Sequence, residues 1–215
     1  VVEFTAWPKT LRLYRTIIVT EKIDGTNAGV HIRKLGDVAS QGYRMRDLGD
    51  AYPPQADCVL VGSDVYQVTA QSRTRLIYPG KDTDNYGFAG WVRDNATRLV
   101  DLLGEGLHMG AYWGKGINRA YGLDARRFSL FNTDKYAKLC ADVGGVIVAP
   151  VPLIYQGMFS DSEIKGALAD LAYNGSWAAP GFMNAEGVCV WHSQTRSVFK
   201  VTLDNQDCSK WEAFE

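Results

Sequence analysis

Cysteine and histidine are scarce in this chain, and the few present lie far apart. Cys58, Cys140, Cys189 and Cys208, with His31, His108 and His192, make no close ligand spacing. That excludes the common structural-zinc patterns and leaves the thiols as buried or incidental groups. No apolar run approaches the roughly 18 residues of a membrane span, and the opening Val1-Val2-Glu3-Phe4 has neither the basic nor the apolar region of a secretory signal. The expectation is a cytoplasmic protein with no membrane partner. An excess of either charge is missing too: 23 Lys+Arg against 24 Asp+Glu leave a net charge of -1. A surface coated in positive potential is therefore excluded, and any phosphate recognition has to be local. Lys115, Arg119, Arg126 and Arg127 are the densest basic group.

What is there fits a globular protein. At 215 residues the chain can bury one sizeable core or two small ones, and its length favours a single domain over 1–215. Apolar and β-branched runs predict strands at 11–19 and 28–33, a strand pair at 58–70 broken by Gly62-Ser63-Asp64, and strands at 107–113, 128–132 and 146–155. A Gly, Asp and Pro-rich connection covers 36–54, and a glycine-punctuated loop 114–122. Trp91, Val92, Leu99, Leu102 and Leu103 suit one face of a helix across 88–103. A short helix is expected at 133–141. Ser160 with Glu163 matches a capping box ahead of Ile164, Leu168 and Leu171, and 187–192 with 196–203 reads as a hairpin. Helices set apart among antiparallel strands make an α+β domain.

The stretch of most chemical interest is Thr20-Glu21-Lys22-Ile23-Asp24-Gly25-Thr26-Asn27, directly after the β-branched run Ile17-Ile18-Val19. A lysine at the end of a strand, followed by a turn-forming Asp-Gly, is held by backbone on one side and open on the other. Such a mount suits an amine nucleophile. A plain hairpin, with Asp24-Gly25 as its turn and Lys22 as a solvated edge charge, is the other reading of the same residues.

The stretch fits K-x-D-G-x-N. Further along come Gln71-Ser72-Arg73, then Gly110-Ala111-Tyr112-Trp113-Gly114-Lys115-Gly116-Ile117 with Phe128 to Asn132 behind it, Ala185-Glu186-Gly187-Val188, and Val198-Phe199-Lys200-Val201-Thr202. In type, order and spacing these segments resemble the covalent nucleotidyltransferase superfamily, most closely ATP-dependent RNA ligases of the RNA ligase 2 type in their short, phage-like form. The resemblance spans about 20–203. It implies an antiparallel-sheet nucleotidyltransferase domain of the ATP-grasp-like ligase adenylation kind, without an appended OB or helical domain. It also implies ATP and Mg2+ as cofactors, with Mn2+ as substitute, and RNA or DNA strand ends or nicks as partners. With little chain after the last motif, the expectation is a monomer of weak, salt-dependent nucleic-acid affinity that a partner protein can reinforce.

By that resemblance Lys22 attacks the nucleotide α-phosphorus and holds AMP as a phosphoramidate. A free lysine amine titrates near ~10.4, and bringing it to neutrality takes about 4 kcal/mol of destabilisation of its charged form. The Lys200 ammonium and a bound metal both push that way, and Lys200 also neutralises charge that grows at the α-phosphate during transfer. Glu186, ahead of a glycine that lets backbone approach a ligand, is the implied metal carboxylate. Lys22, Lys200 and Glu186 are thus the expected catalytic group. Glu21 is expected at the adenine edge or on the loop, Ile23 beside it, Asn27 at the strand ends being sealed, Arg73 on phosphate or ribose, and Phe131 stacked on adenine. Arg75, on the same side of a strand as Arg73, and Lys115 and Arg119 are the expected nucleic-acid contacts.

Three positions depart from the family pattern. Ala111 stands where a ribose-binding glutamate is usual, a loss of about 1 to 3 kcal/mol of binding. Thr202 replaces the second lysine of K-x-K, and Asn132 replaces an aspartate. Lysine adenylation is therefore expected to survive more readily than rapid sealing. An ATP-dependent DNA ligase or a capping-type guanylyltransferase is the nearest alternative. The other is a weakened nucleotide- or nucleic-acid-binding relative, for which Ala111 is the chief support.

Overall fold

The computed structural model describes residues 2–37 and 57–204. Most of the connection expected at 36–54 lies outside the described residues, as does Cys208. Two compact units divide the chain, one of Val1–Ile23 with Pro152–Glu215 and the other of Asp24–Val151. Each is built on an antiparallel-rich sheet, an α+β arrangement with few helices.

The first unit holds β1 (Thr16–Lys22), β10 (Leu153–Met158), β11 (Gly187–His192) and β12 (Ser197–Thr202) in the order β10-β1-β11-β12, all antiparallel, with α3 (Asp161–Asn174). Alternation sorts β1 cleanly: Ile17 and Val19 join Val188 and Val190 in a core closed by Ala167 and Leu171 of α3. Ile18, Thr20 and Lys22 are therefore left on the opposite face. The N-cap half of the expected capping box forms, Ser160 Oγ accepting from Glu163 N at 3.3 Å.

The second unit holds β2 (Thr26–Asp37), β3 (Asp57–Val61), β4 (Asp64–Gln71), β5 (Leu76–Ile77), β6 (Gly106–Gly114), β7 (Arg126–Leu130), β8 (Ala141–Val143) and β9 (Val146–Pro150), with α1 (Phe88–Asp94) and α2 (Ala96–Leu103). The eight strands run β3-β4-β2-β6-β7-β9-β8, with β5 on β4, and the only parallel pair among those described is β7 with β9. Ala28, Val30, Val68, Ala70, Tyr112, Phe128, Leu130 and Val148 line the face buried with Phe88, Trp91, Leu99 and Leu103 of the two helices. Gly110 has to be glycine, because a Cβ there would sit 2.8 Å from the buried Phe128 ring and 2.4 Å from Ser129 O.

Several expectations need correction. β1 and β2 lie in different sheets, so Asp24-Gly25 is a link and no hairpin turn. The helix expected over 88–103 breaks at Asn95, whose amide donates to Trp91 O at 2.9 Å and competes with continued helix. Residues 133–141 form turns leading into β8 in place of a helix, and Asn132 Oδ1 accepts from Lys135 N at 3.0 Å. The strand region 146–155 is two strands, β9 and β10, one in each sheet.

Candidate active site

In the first unit, cross-strand register decides which side chains share the open face. Lys22 pairs with Gly187 and Gly187 with Thr202, while Thr20 pairs with Cys189 and Cys189 with Lys200. Opposite residues and residues two apart point the same way, so Lys22, Cys189, Lys200 and Thr202 occupy one face in adjacent rows about 7 Å apart along the strands. Lys200 is exposed and Lys22 half-buried. The Lys22 ammonium is ion-paired with Glu186 Oε1, a partner 164 positions away in the chain. The other carboxylate oxygen, Glu186 Oε2, is buried with no hydrogen-bond partner among the described residues.

A lone buried anionic oxygen is costly and suits a hard cation. Glu186 thus fits a magnesium ion as one ligand. Among the described residues no group of three or more His, Cys, Asp or Glu gathers, so the remaining ligands would come from water and phosphate. Gly187 permits this placement: its φ is +144°, and a Cβ would lie 2.2 Å from Val201 O. Cys189, one of the thiols expected to be buried or incidental, sits between the two lysines in this register. Burial pushes its thiol up, the Lys22 ammonium opposes that, and Glu186 adds to it.

Glu21, next to Lys22, points the opposite way into the interior and is 1% exposed. Ser176 Oγ donates to its Oε1 at 2.5 Å and Ala178 N to its Oε2 at 2.8 Å. Burial holds its carboxyl above the ordinary 4.5, with the hydrogen bonds from Ser176, Ala178 and Trp177 pulling the other way. Both oxygens therefore fix the loop after α3, one of the two roles considered for this residue. Ile23 is buried. No local pattern pointed to Ser176 or Ala178, more than 150 positions distant.

In the second unit, the sheet face away from α1 and α2 carries the other expected residues. Asn27 pairs with Ala111 and Ala111 with Ser129, a single cross-strand row. Phe131 follows β7 with the same orientation parity as Ser129, its N donating to Met109 O at 2.9 Å; it is 45% exposed, whereas Phe128 is fully buried. The expected separation of these two phenylalanines onto opposite faces is what the structure contains. Ala111 itself is 3% exposed, and Trp113 Nε1 donates to Ser129 Oγ at 2.9 Å in the same region.

The basic candidates divide. Arg73 and Arg75 are exposed, but they belong to the tight turn between β4 and β5, closed by Ser72 N donating to Arg75 O at 2.8 Å. The strand alternation expected to put them on one side does not exist there. Lys115 is exposed. Arg119 is turned inward: its Nε donates to Asp24 Oδ2 at 3.0 Å, beside Asn118 Nδ2 on Asp24 Oδ1 at 2.9 Å, and Tyr121 OH accepts from Asp24 N at 2.7 Å. The Asp of the lysine motif thus anchors loop 114–122, where Asn118, Ala120 and Tyr121 all have left-handed φ. Gly25 follows because a Cβ would come within 2.7 Å of Tyr112 O and 2.8 Å of Trp113 Cβ. The Asp24 partners carry no spacing signal that sequence could have offered.

An ion-paired lysine at a strand end, with a second lysine on the same sheet face and an unsatisfied carboxylate oxygen beside it, is the arrangement the first unit presents. The family model for RNA ligase matches residues 15–202, and the chain belongs to the RNA ligase family. A solved structure of an apo mutant of Naegleria gruberi RNA ligase R4a is similar at 15% identity and a TM-score of 0.49, covering 88% of this chain and 50% of that one. The chain spans about half the length of that protein. No curated protein sequence matches it. No helix among the described residues is long and apolar enough to cross a membrane.

Proposed function

We propose that this chain is the adenylation domain of an ATP-dependent RNA ligase, acting through a lysine-bound AMP. The observation that carries the reading is the Lys22–Glu186 pair with Lys200 on the same open sheet face. In the first step Lys22 Nζ gives up a proton and bonds to the α-phosphorus of ATP, the α–β phosphoanhydride breaks, and pyrophosphate leaves. A 5'-phosphate oxygen of RNA then attacks the same phosphorus and the P–N bond breaks, which returns the amine. Finally a 3'-hydroxyl attacks the 5'-phosphate and AMP departs with the bonding electrons.

Glu186 holds the Lys22 side chain in position at the strand end. Magnesium, held by Glu186 and by phosphate oxygens, would supply charge neutralisation at the reacting phosphates. Lys200 contributes a second positive charge, stronger in effect as the α-phosphate gains charge. Asn27 is assigned to the strand ends being sealed, Arg73 to phosphate or ribose, Phe131 to the base, Arg75 and Lys115 to the RNA strand, and Glu21 with Ile23 to holding the motif in place. Arg119 acts through Asp24. RNA in preference to DNA rests on family membership.

Incubation with α-labelled ATP and magnesium tests this. The expected result is an acid-stable, pyrophosphate-reversible adduct that disappears in Lys22→Ala; its absence from the parent chain defeats the reading. A second reading, a nucleotide-binding relative that has lost turnover, is favoured by Ala111 alone. Binding of ATP without any adduct would select it.

A further inference from the structure

Resting on the ligase reading, we propose that residues 2–15 form an arm that grips single-stranded RNA by stacking and charge. Residues 12–15 hold it to the first unit. Leu13 O accepts from His192 Nε2 at 2.8 Å, Arg12 N donates to Gln194 Oε1 at 3.0 Å, and Arg15 O accepts from Phe159 N at 2.8 Å. Tyr14 meets Phe159 edge-on, with ring centroids 6.1 Å apart. Ahead of them the chain belongs to neither helix nor strand, and every residue from 2 to 15 is exposed.

The exposed side chains are of an unusual kind. Phe4 is 92% exposed, Trp7 91% and Tyr14 69%, large rings of the sort that normally gain most from burial. Between and after them stand Lys9, Arg12 and Arg15, with Glu3 as the sole acid in 1–15. In a chain of net charge -1 this is a concentrated basic stretch. Rings that can stack on bases, interleaved with cations that can meet phosphates, are the composition of a sequence-tolerant single-strand grip.

The spacing of Phe4, Trp7 and Leu11 would also suit an amphipathic helix laid in a protein groove. Pro8 argues against it. It biases Trp7 away from α-helical dihedrals and would interrupt a helix joining Phe4 to Leu11. An extended arm separates its rings along the chain, as successive unstacked bases require.

The test measures binding of a labelled oligouridine RNA by the full chain across a potassium chloride series, with ATP labelling of Lys22 followed in parallel. A Phe4→Ala/Trp7→Ala variant is expected to bind on the order of tenfold or more weakly. Trp7→Phe keeps the parent affinity and Trp7→Leu does not, since stacking needs a flat ring and general apolar docking does not. Replacing Lys9, Arg12 and Arg15 by Gln lowers the salt slope by about 2, at ~0.7 per phosphate contact. Lys22 labelling is unchanged throughout. The arm is overturned if the parent does not bind the RNA, if Trp7→Leu binds as well as the parent, or if the salt slope stays put. It is also overturned if the double variant leaves RNA binding intact while converting a dimer to a monomer in sedimentation. Failure of labelling with the arm effects present would defeat the ligase reading alone, and loss of the arm effects with labelling intact would defeat the arm alone.

Discussion

The two sheets expose different chemistry. On the four-stranded sheet the open face is charged: Lys22 against Glu186, with Lys200 one row away. On the eight-stranded sheet the face around Asn27, Ala111, Ser129 and Phe131 has its nearest cation, Arg127, laid over the Trp113 ring at 5.3 Å from the centroid, and Arg73 and Arg75 sit at a turn. Charges aimed at a reacting group change rates, whereas shape and hydrogen bonding change affinity. Substitutions on the small sheet should therefore appear in kcat for adenylation, and those on the large sheet in the KM for ATP.

The sharpest break would be at Lys22. Lys22→Arg keeps the ion pair but cannot form the phosphoramidate, so labelling should vanish while the melting temperature holds. Glu186→Gln and Lys200→Ala should each reduce the adenylation rate on the order of 100-fold with little change in ATP affinity. A KM effect in either would erase the proposed division. On the other sheet the two phenylalanines separate stability from binding: Phe128→Ala should cost about 3 to 5 kcal/mol of folding free energy by denaturant titration. Phe131→Ala should leave stability alone and weaken ATP binding by about 1 to 3 kcal/mol. Ala111→Glu is a test of the missing acid: a gain in ATP affinity marks Ala111 as a lesion, and a loss of folding marks that buried position as unable to hold a carboxylate.

The smallest effect concerns pH. Because burial raises the Glu21 carboxyl above 4.5, the folded chain holds that proton more tightly than the unfolded chain. The linked stabilisation is complete below the ordinary value and is lost as pH rises through the raised one. Glu21→Gln should flatten that decline, seen as urea midpoints less dependent on pH above about 4.5 than those of the parent.

Local patterns carried much of this molecule. The β-branched run into Lys22, the pair around Gly62-Ser63-Asp64, the N-cap at Ser160 and the final hairpin all formed near where alternation and turn chemistry put them. Strand partnership was not legible, because β1 meets β11 across more than 160 positions and nothing local tells a link from a hairpin at Asp24-Gly25. Nor could charge type alone separate Arg119, consumed by Asp24, from the exposed Lys115 four positions earlier. Asn95 ended a helix that its apolar spacing would have continued, since one side-chain amide outweighed the periodicity on either side of it.

Glu21 and Lys22 are neighbours that look in opposite directions, and this has a consequence for how the chain finds its native pairing. A shift of β1 by a single position would drive an ammonium into an aliphatic interior and leave an acid on the open face beside Glu186. Misaligned pairings thus punish themselves during assembly, and these two neighbours proofread the strand.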